Sequence, residues 1–189
     1  MKILSWEDPR ASQKSTELRS IIYAAVSLAL CLVLPFLTGN IPAIGQQFAP
    51  MHFPVLLCGY LAGPLWGGIV GVVAPFMRNL LFGAPILYPQ AIRMAFELCV
   101  YGVAAGLFYR YLPKKPLGVY VSLLCAMFFG RLSWALAQFI LSVLDKTQPF
   151  YPELVVTQTV TSSLYGILIQ LLLIPPLVLA LQRAKLITK

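Results

Sequence analysis

The chain is short of charge. Only 11% of its 189 residues are Asp, Glu, Lys or Arg, less than half the roughly 25% of an ordinary soluble domain. Histidine occurs once, as His52. There is no HExxH pair and no paired-acid motif, which argues against metal-dependent or acid–base hydrolysis. No GxxxxGK[ST] loop is present, so the chain carries no phosphate-cradling site for ATP. Its four cysteines, Cys31, Cys58, Cys99 and Cys125, form no CxxC pair and fall inside apolar stretches. They read as small buried packers rather than a disulfide framework or metal set. An early apolar run is missing too: "MKILSWEDPRASQKSTELRS" is polar and unlike a signal peptide.

Apolar sequence fills the space. The composition is 59% hydrophobic with a mean hydropathy of +0.82, and runs of about twenty apolar residues recur along the chain. The expectation is an all-α integral membrane protein with helices at 19–38, 53–63, 65–82, 89–111, 116–143 and 154–182. The second is short; the fifth and sixth are long enough to tilt. Residues 1–18 read as a polar cytoplasmic lead, 19–183 as a six-helix membrane domain, and 184–189 as a basic cytoplasmic tail.

The formal net charge of +8 suggests nucleic acid until the cations are placed. Lys2, Arg10, Lys14 and Arg19 precede the first helix; Arg110, Lys114 and Lys115 follow the fourth; Arg183, Lys185 and Lys189 follow the sixth. All lie on one face, and the other keeps Lys146. That asymmetry puts both termini in the cytoplasm. The positive balance is orientation, not DNA binding.

Small residues recur four apart: Ala25 and Ala29, Gly59 and Gly63, Gly67 and Gly71, Gly102 and Gly106. Such pairs allow close backbone approach in lipid. The glycine pairs are expected to pack within the chain, while the alanine stripe could also serve a partner. Pro35, Pro54, Pro64, Pro75, Pro175 and Pro176 predict kinked or broken helices.

Three arginines and one acid remain inside the spans: Arg78, Arg93, Arg131 and Glu97. Charges there are costly and usually face a cavity or a partner. Gln90, Arg93, Glu97 and Tyr101 share one face of the fourth helix, and Arg131, Trp134 and Gln138 one face of the fifth. Gln158, Thr161, Ser162 and Tyr165 form a third polar stripe on the sixth. Each stripe alone could be glue between helices. All of them fall in the outer half or near the middle of the membrane, which favours an outward-opening polar pocket. Two surplus cations would suit an anionic or carbonyl-bearing ligand, with Trp134 as a stacking ring. His52, between Pro50 and Pro54 at the outer head of the second helix, could cap that helix, contact the ligand, or coordinate a metal the ligand carries.

The helix count, the long first outer loop, the Ala25–Ala29 pair, "MHFPVLLCGYLAGPLWGGIVG" and "GRLSWAL" together resemble a substrate-binding S component of an energy-coupling factor vitamin transporter. The resemblance implies a multi-pass bacterial plasma-membrane protein that binds a vitamin or precursor: a cobalamin-related compound, pantothenate or a riboflavin-like molecule. It implies docking through Ala25 and Ala29 to a transmembrane coupling subunit driven by two cytoplasmic ATPases. The chain would need no cofactor of its own, with ATP used by the partners. Other classes left open are a self-sufficient carrier or channel, for which an inverted repeat would speak, and, more remotely, an intramembrane enzyme.

Overall fold

The computed structural model describes residues 9–37, 50–145, 153, 164–184 and 186–187. Its described elements are helical: α1 (Pro9–Leu37), α2 (His52–Ala62), α3 (Pro64–Phe82), α4 (Ile92–Tyr111), α5 (Pro116–Leu144) and α6 (Leu164–Arg183). A wide turn, Leu87–Ala91, leads into α4, with Tyr88 extended at φ −121° and ψ 131°. Among the described residues, five segments are long and apolar enough to cross a membrane: Ser15–Phe36, Pro64–Phe82, Leu87–Tyr111, Pro116–Leu144 and Tyr165–Arg183. The sixth, α2, has 11 residues and reaches about 16 Å at 1.5 Å per residue, half the hydrocarbon thickness. The protein is an all-α membrane protein with a short second helix.

Two boundaries differ from expectation or escape it. Helix α1 begins at Pro9, ten residues before the expected 19, inside the polar lead. Hydropathy marks where a helix enters lipid, not where its hydrogen bonding starts, and proline suits the first helical position. The expected start of the sixth helix at 154 lies outside the described residues, as does most of the first outer loop.

A tight helical hairpin organises the bundle. Between α2 and α3 stands only Gly63, at φ 91°, a conformation side chains other than glycine rarely adopt. Pro64 then opens α3 at its first position. The fold-back brings Gly67 against Gly59, and α4 lays Gly102 and Gly106 across both. A Cβ added at Gly67 would stand 2.7 Å from Gly102 O and 2.8 Å from Gly59 Cα. One at Gly106 would stand 2.7 Å from Gly59 O. Gly71 meets the backbone of Leu98 and Cys99 in the same way. The glycine pairs therefore pack within the chain, except that Gly63 serves the turn.

Two apolar clusters fill the interior. Leu56, Tyr60, Tyr101, Ala105, Leu123, Ala126, Ile174 and Val178 join α2, α4, α5 and α6. Ala24, Cys31, Met51, Val55, Cys58, Val70, Ala74 and Leu98 join α1, α2, α3 and α4. Cys31 and Cys58 are buried there, Cys99 and Cys125 are half-buried, and all four are free thiols.

Side-chain bonds fix which ends lie together. The Tyr88 hydroxyl donates to Asp145 Oδ2 at 2.8 Å, tying the entry of α4 to the exit of α5. Gln182 Nε2 donates to the Tyr109 hydroxyl at 2.6 Å, tying the far ends of α4 and α6. The Tyr23 hydroxyl donates to Leu186 O at 2.9 Å, bringing the middle of α1 toward that same end. Arg19, Arg110, Lys114, Lys115 and Arg183 accordingly gather at one end of the bundle, as the positive-inside pattern requires.

Candidate functional site

Helices α4 and α5 run antiparallel, and their polar stripes face each other as a ladder. At the outer rung Tyr88 meets Asp145. One layer in, Arg93 Nη1 donates to Gln138 Oε1, and the Arg93 guanidinium carbon lies 5.8 Å from the centre of the Trp134 ring. Deeper still, Arg131 Nη1 stands 2.8 Å from Glu97 Oε1. Below that, the Tyr101 ring lies against Gly130, leaving no room for a Cβ there. The Ser133 hydroxyl donates to Phe96 O at 3.2 Å alongside the ladder. Helical spacing on each strand of the ladder produces this register.

Helix α2 closes the ladder from the side. His52 is its first residue, and the ring turns inward instead of facing the outer rim. Its side chain is 6% exposed, and Nε2 stands 3.3 Å from Glu97 Oε1. The ring also meets Tyr101 edge-on at 5.0 Å between centroids. Glu97, 3% exposed, is thus flanked by a guanidinium and an imidazole. A lone carboxylate at this depth would be very costly; pairing is what keeps it. Several polar atoms nonetheless remain buried with no hydrogen bond among the described residues: His52 Nδ1, Arg93 Nε, Arg131 Nε and Gln170 Oε1.

Arg78 does not join this group. It is buried between α3 and α1, where Nη1 donates to Leu32 O at 3.0 Å and the guanidinium lies 5.3 Å and 5.7 Å from the Phe36 and Phe82 rings. Pro35 sits in the last turn of α1 and cannot donate to a carbonyl of the preceding turn. Arg78 supplies a donor to that weakened turn. Gln90 lies half-buried in the wide turn before α4. Gln158, Thr161 and Ser162 fall outside the described residues, and Tyr165 is exposed. Ala25 and Ala29 lie on the exposed side of α1, opposite the buried Ala24, Ser27 and Cys31.

Sequence reasoning missed two features. Gln170 of α6 is 3% exposed; its signal was a lone amide in "GILIQLLLIPP". The half of the bundle read as nearly free of polar groups holds a second network. There the Tyr60 and Ser122 hydroxyls are 2.9 Å apart, and the Tyr60 ring meets Tyr109, the partner of Gln182, edge-on at 5.2 Å. Hydroxyls at the ends of aromatic rings do not register as polar in a hydropathy scan.

These features define a polytopic helical membrane protein with a buried ionic cluster toward one end of the bundle, the setting in which transport proteins hold ligands. Residues 19–178 match the family described as ECF transporter, substrate-specific component. The chain belongs to that family, and it is a membrane-embedded substrate-binding subunit of a transporter. No curated protein and no solved structure matches it.

Proposed function

We propose that the chain captures a vitamin or vitamin precursor from the outer side of the membrane, in the ladder between α4 and α5, and works with partners that supply energy. The candidate ligands are a cobalamin-related compound, pantothenate and a riboflavin-like molecule. A transmembrane coupling subunit and two cytoplasmic ATPases would drive uptake, and the chain itself would catalyse nothing. The observation that carries this reading is the placement of Arg93, Gln138 and Trp134 directly above the paired Glu97 and Arg131. It puts a cation, an amide and an indole in one layer at the end away from the clustered basic residues. A partly desolvated site of this kind strengthens each polar contact to a ligand.

The test has two arms. Small molecules carried through mild-detergent purification are identified by mass spectrometry and titrated back calorimetrically. In parallel, the tagged chain is purified from cells to ask whether a coupling subunit and two ATPases accompany it. Tight binding of a vitamin-class molecule together with those partners supports the proposal. Uptake by the chain alone in liposomes would favour the self-sufficient carrier instead.

A further inference from the structure

The end of the bundle away from the ladder's outer rung carries cations that no acid offsets. Arg110 lies in the last turn of α4 and Arg183 in the last turn of α6, while Lys114 and Lys115 stand in the loop between α4 and α5. All four are exposed. The charge at this end is unevenly shared. In residues 1–19, four cations (Lys2, Arg10, Lys14 and Arg19) face three acids (Glu7, Asp8 and Glu17). In residues 110–115 and 183–189, six cations face none. The remaining acids are elsewhere: Glu97 pairs within the ladder, Asp145 takes Tyr88 at the outer rung, and Glu153 belongs to the connection between α5 and α6 at the opposite end. Among the described residues no carboxylate pairs with Arg110, Lys114, Lys115 or Arg183.

Tyr109 draws these groups together. Lys114 Nζ lies 5.7 Å from the centre of its ring, and Gln182, the residue before Arg183, donates to its hydroxyl at 2.6 Å. Arg110 is the next residue along α4. The loop between them is short, since α4 ends at Tyr111 and α5 begins at Pro116. Residues 112–115 reach at most about 14 Å, and much of that is used to cross the roughly 8–10 Å between packed helices. The lysines are therefore held at the height of the helix ends. Tyr111 and Leu117, 78% and 76% exposed, stand on either side of them. Apolar side chains turned outward beside lysines suit a surface that is oily below and anionic at its edge.

We propose that this patch binds the head group of an anionic phospholipid in the leaflet at this end, cytoplasmic by the clustering of cations. Lys114, Lys115 and Arg183 take the phosphate oxygens, the guanidinium through its fork of donors. Tyr111 and Leu117 meet the glycerol and the first carbons of the acyl chains. An acidic protein surface fits less well. Head groups already surround the cations at the height of the helix ends, and a protein would have to displace them. The site is independent of what the ladder binds.

The experiment titrates the detergent-purified full chain with phosphatidylglycerol or phosphatidylcholine of identical acyl chains and counts bound lipid by native mass spectrometry. Each Lys or Arg near an anionic surface is worth about fivefold in affinity, so phosphatidylglycerol should bind at least tenfold more tightly. Lys114→Gln with Arg183→Gln should remove most of that preference, and Lys114→Arg with Arg183→Lys should keep it. Arg10→Gln with Lys14→Gln removes the same charge from the nearly balanced segment and should leave the preference unchanged. Equal binding of the two lipids overturns the proposal. So does an equal loss in both glutamine double variants, which would mean diffuse attraction instead of a site. Glycerol phosphate binding as tightly as the lipid would make the patch a site for soluble anions and overturn the membrane as its partner. Loss of co-purifying proteins from the Lys114 and Arg183 variant, with lipid preference intact, would assign the patch to an acidic protein and overturn it likewise. Should that variant fail to fold, the preference of the unaltered protein and of Lys114→Gln alone decides.

Discussion

Arg131 and Glu97 stand 2.8 Å apart, on different helices and almost out of reach of solvent. The sequence assigned both residues to a ligand pocket, but most of their charge is spent on each other. The pair thereby locks α4 to α5 with the ladder in register. His52 adds a third helix to the same carboxylate.

That arrangement predicts a coupled stability effect. Removing one partner of a buried pair leaves an unmatched charge and costs about 3–5 kcal/mol, whereas removing both can be nearly neutral. Arg131→Leu alone should therefore lower the melting temperature sharply. The double variant Arg131→Leu with Glu97→Leu should recover much of the loss. Melting curves of the two single variants and the double variant in one detergent check this. Simple additivity would mean the two side chains do not interact.

The hairpin predicts an order among glycine substitutions. At Gly67 a methyl group would stand 2.7–2.9 Å from three backbone atoms that cannot move independently, and overpacking of this kind typically costs about 1–3 kcal/mol. At Gly63 a methyl group meets nothing within 4 Å, and the cost is the positive φ alone, roughly 1–2 kcal/mol. Gly67→Ala should therefore destabilise at least as much as Gly63→Ala, and it should also loosen the contact between α3 and α4. Cross-linking efficiency between cysteines placed on those helices reads the second effect.

Orientation is predicted from the clustered cations. In a chain whose four native cysteines are replaced, a cysteine at Lys114 should react only with reagent on the cytoplasmic side. A cysteine at Ala84, between α3 and α4 at the opposite end, should react only from outside. Labelling of both from one side would overturn the topology.

How far the sequence reached can be judged from single residues. Depth along a helix was legible, since 1.5 Å per residue converts position into height. That is why Arg93, Gln138 and Trp134 appear in one layer and why Glu97 meets Arg131. Direction around the helix was not, because it depends on which neighbour lies there. Arg78 has the height of a pocket residue, yet it faces α1. His52 stands at the head of α2 as expected, but the approach of α4 offers it Glu97 and turns it inward. The glycine spacing correctly foretold close packing within the chain, while the pivot role of Gly63 needed the backbone angle. Helix α1 outran its apolar core because lipid contact and helical hydrogen bonding are separate properties.

The exposed side of α1 carries the docking prediction. Ala25 and Ala29 point away from the buried Ala24, Ser27 and Cys31, with Ile22 and Val33 exposed above and below them. Two small residues four apart let a partner helix approach closely. Replacing both with Leu should block assembly with the coupling subunit, measured as loss of co-purification and of uptake. Ligand affinity of the isolated chain should be unchanged, because the ladder lies on other helices. Unchanged assembly would make that stripe a lipid-facing surface.

Arg93 and Arg78 give the sharpest comparison, since sequence placed both in the pocket and the structure separates them. Arg93 holds a buried Nε with no hydrogen bond among the described residues, in the layer of Trp134 and Gln138. Losing a hydrogen bond to a charged group there should weaken ligand binding by about 1.5–3 kcal/mol in Arg93→Met, roughly ten- to a hundredfold. Trp134→Ala should weaken it as well, by releasing the guanidinium from the ring that positions it. Arg78→Met removes the donor to Leu32 O and the contacts with Phe36 and Phe82. It should lower the melting temperature by detaching the end of α1 from α3, with affinity retained in the protein that stays folded. Calorimetric titration beside a melting curve for each variant separates the two outcomes. If Arg78→Met cost as much affinity as Arg93→Met, the site would extend to α1 and α3, and the ladder alone would not describe it.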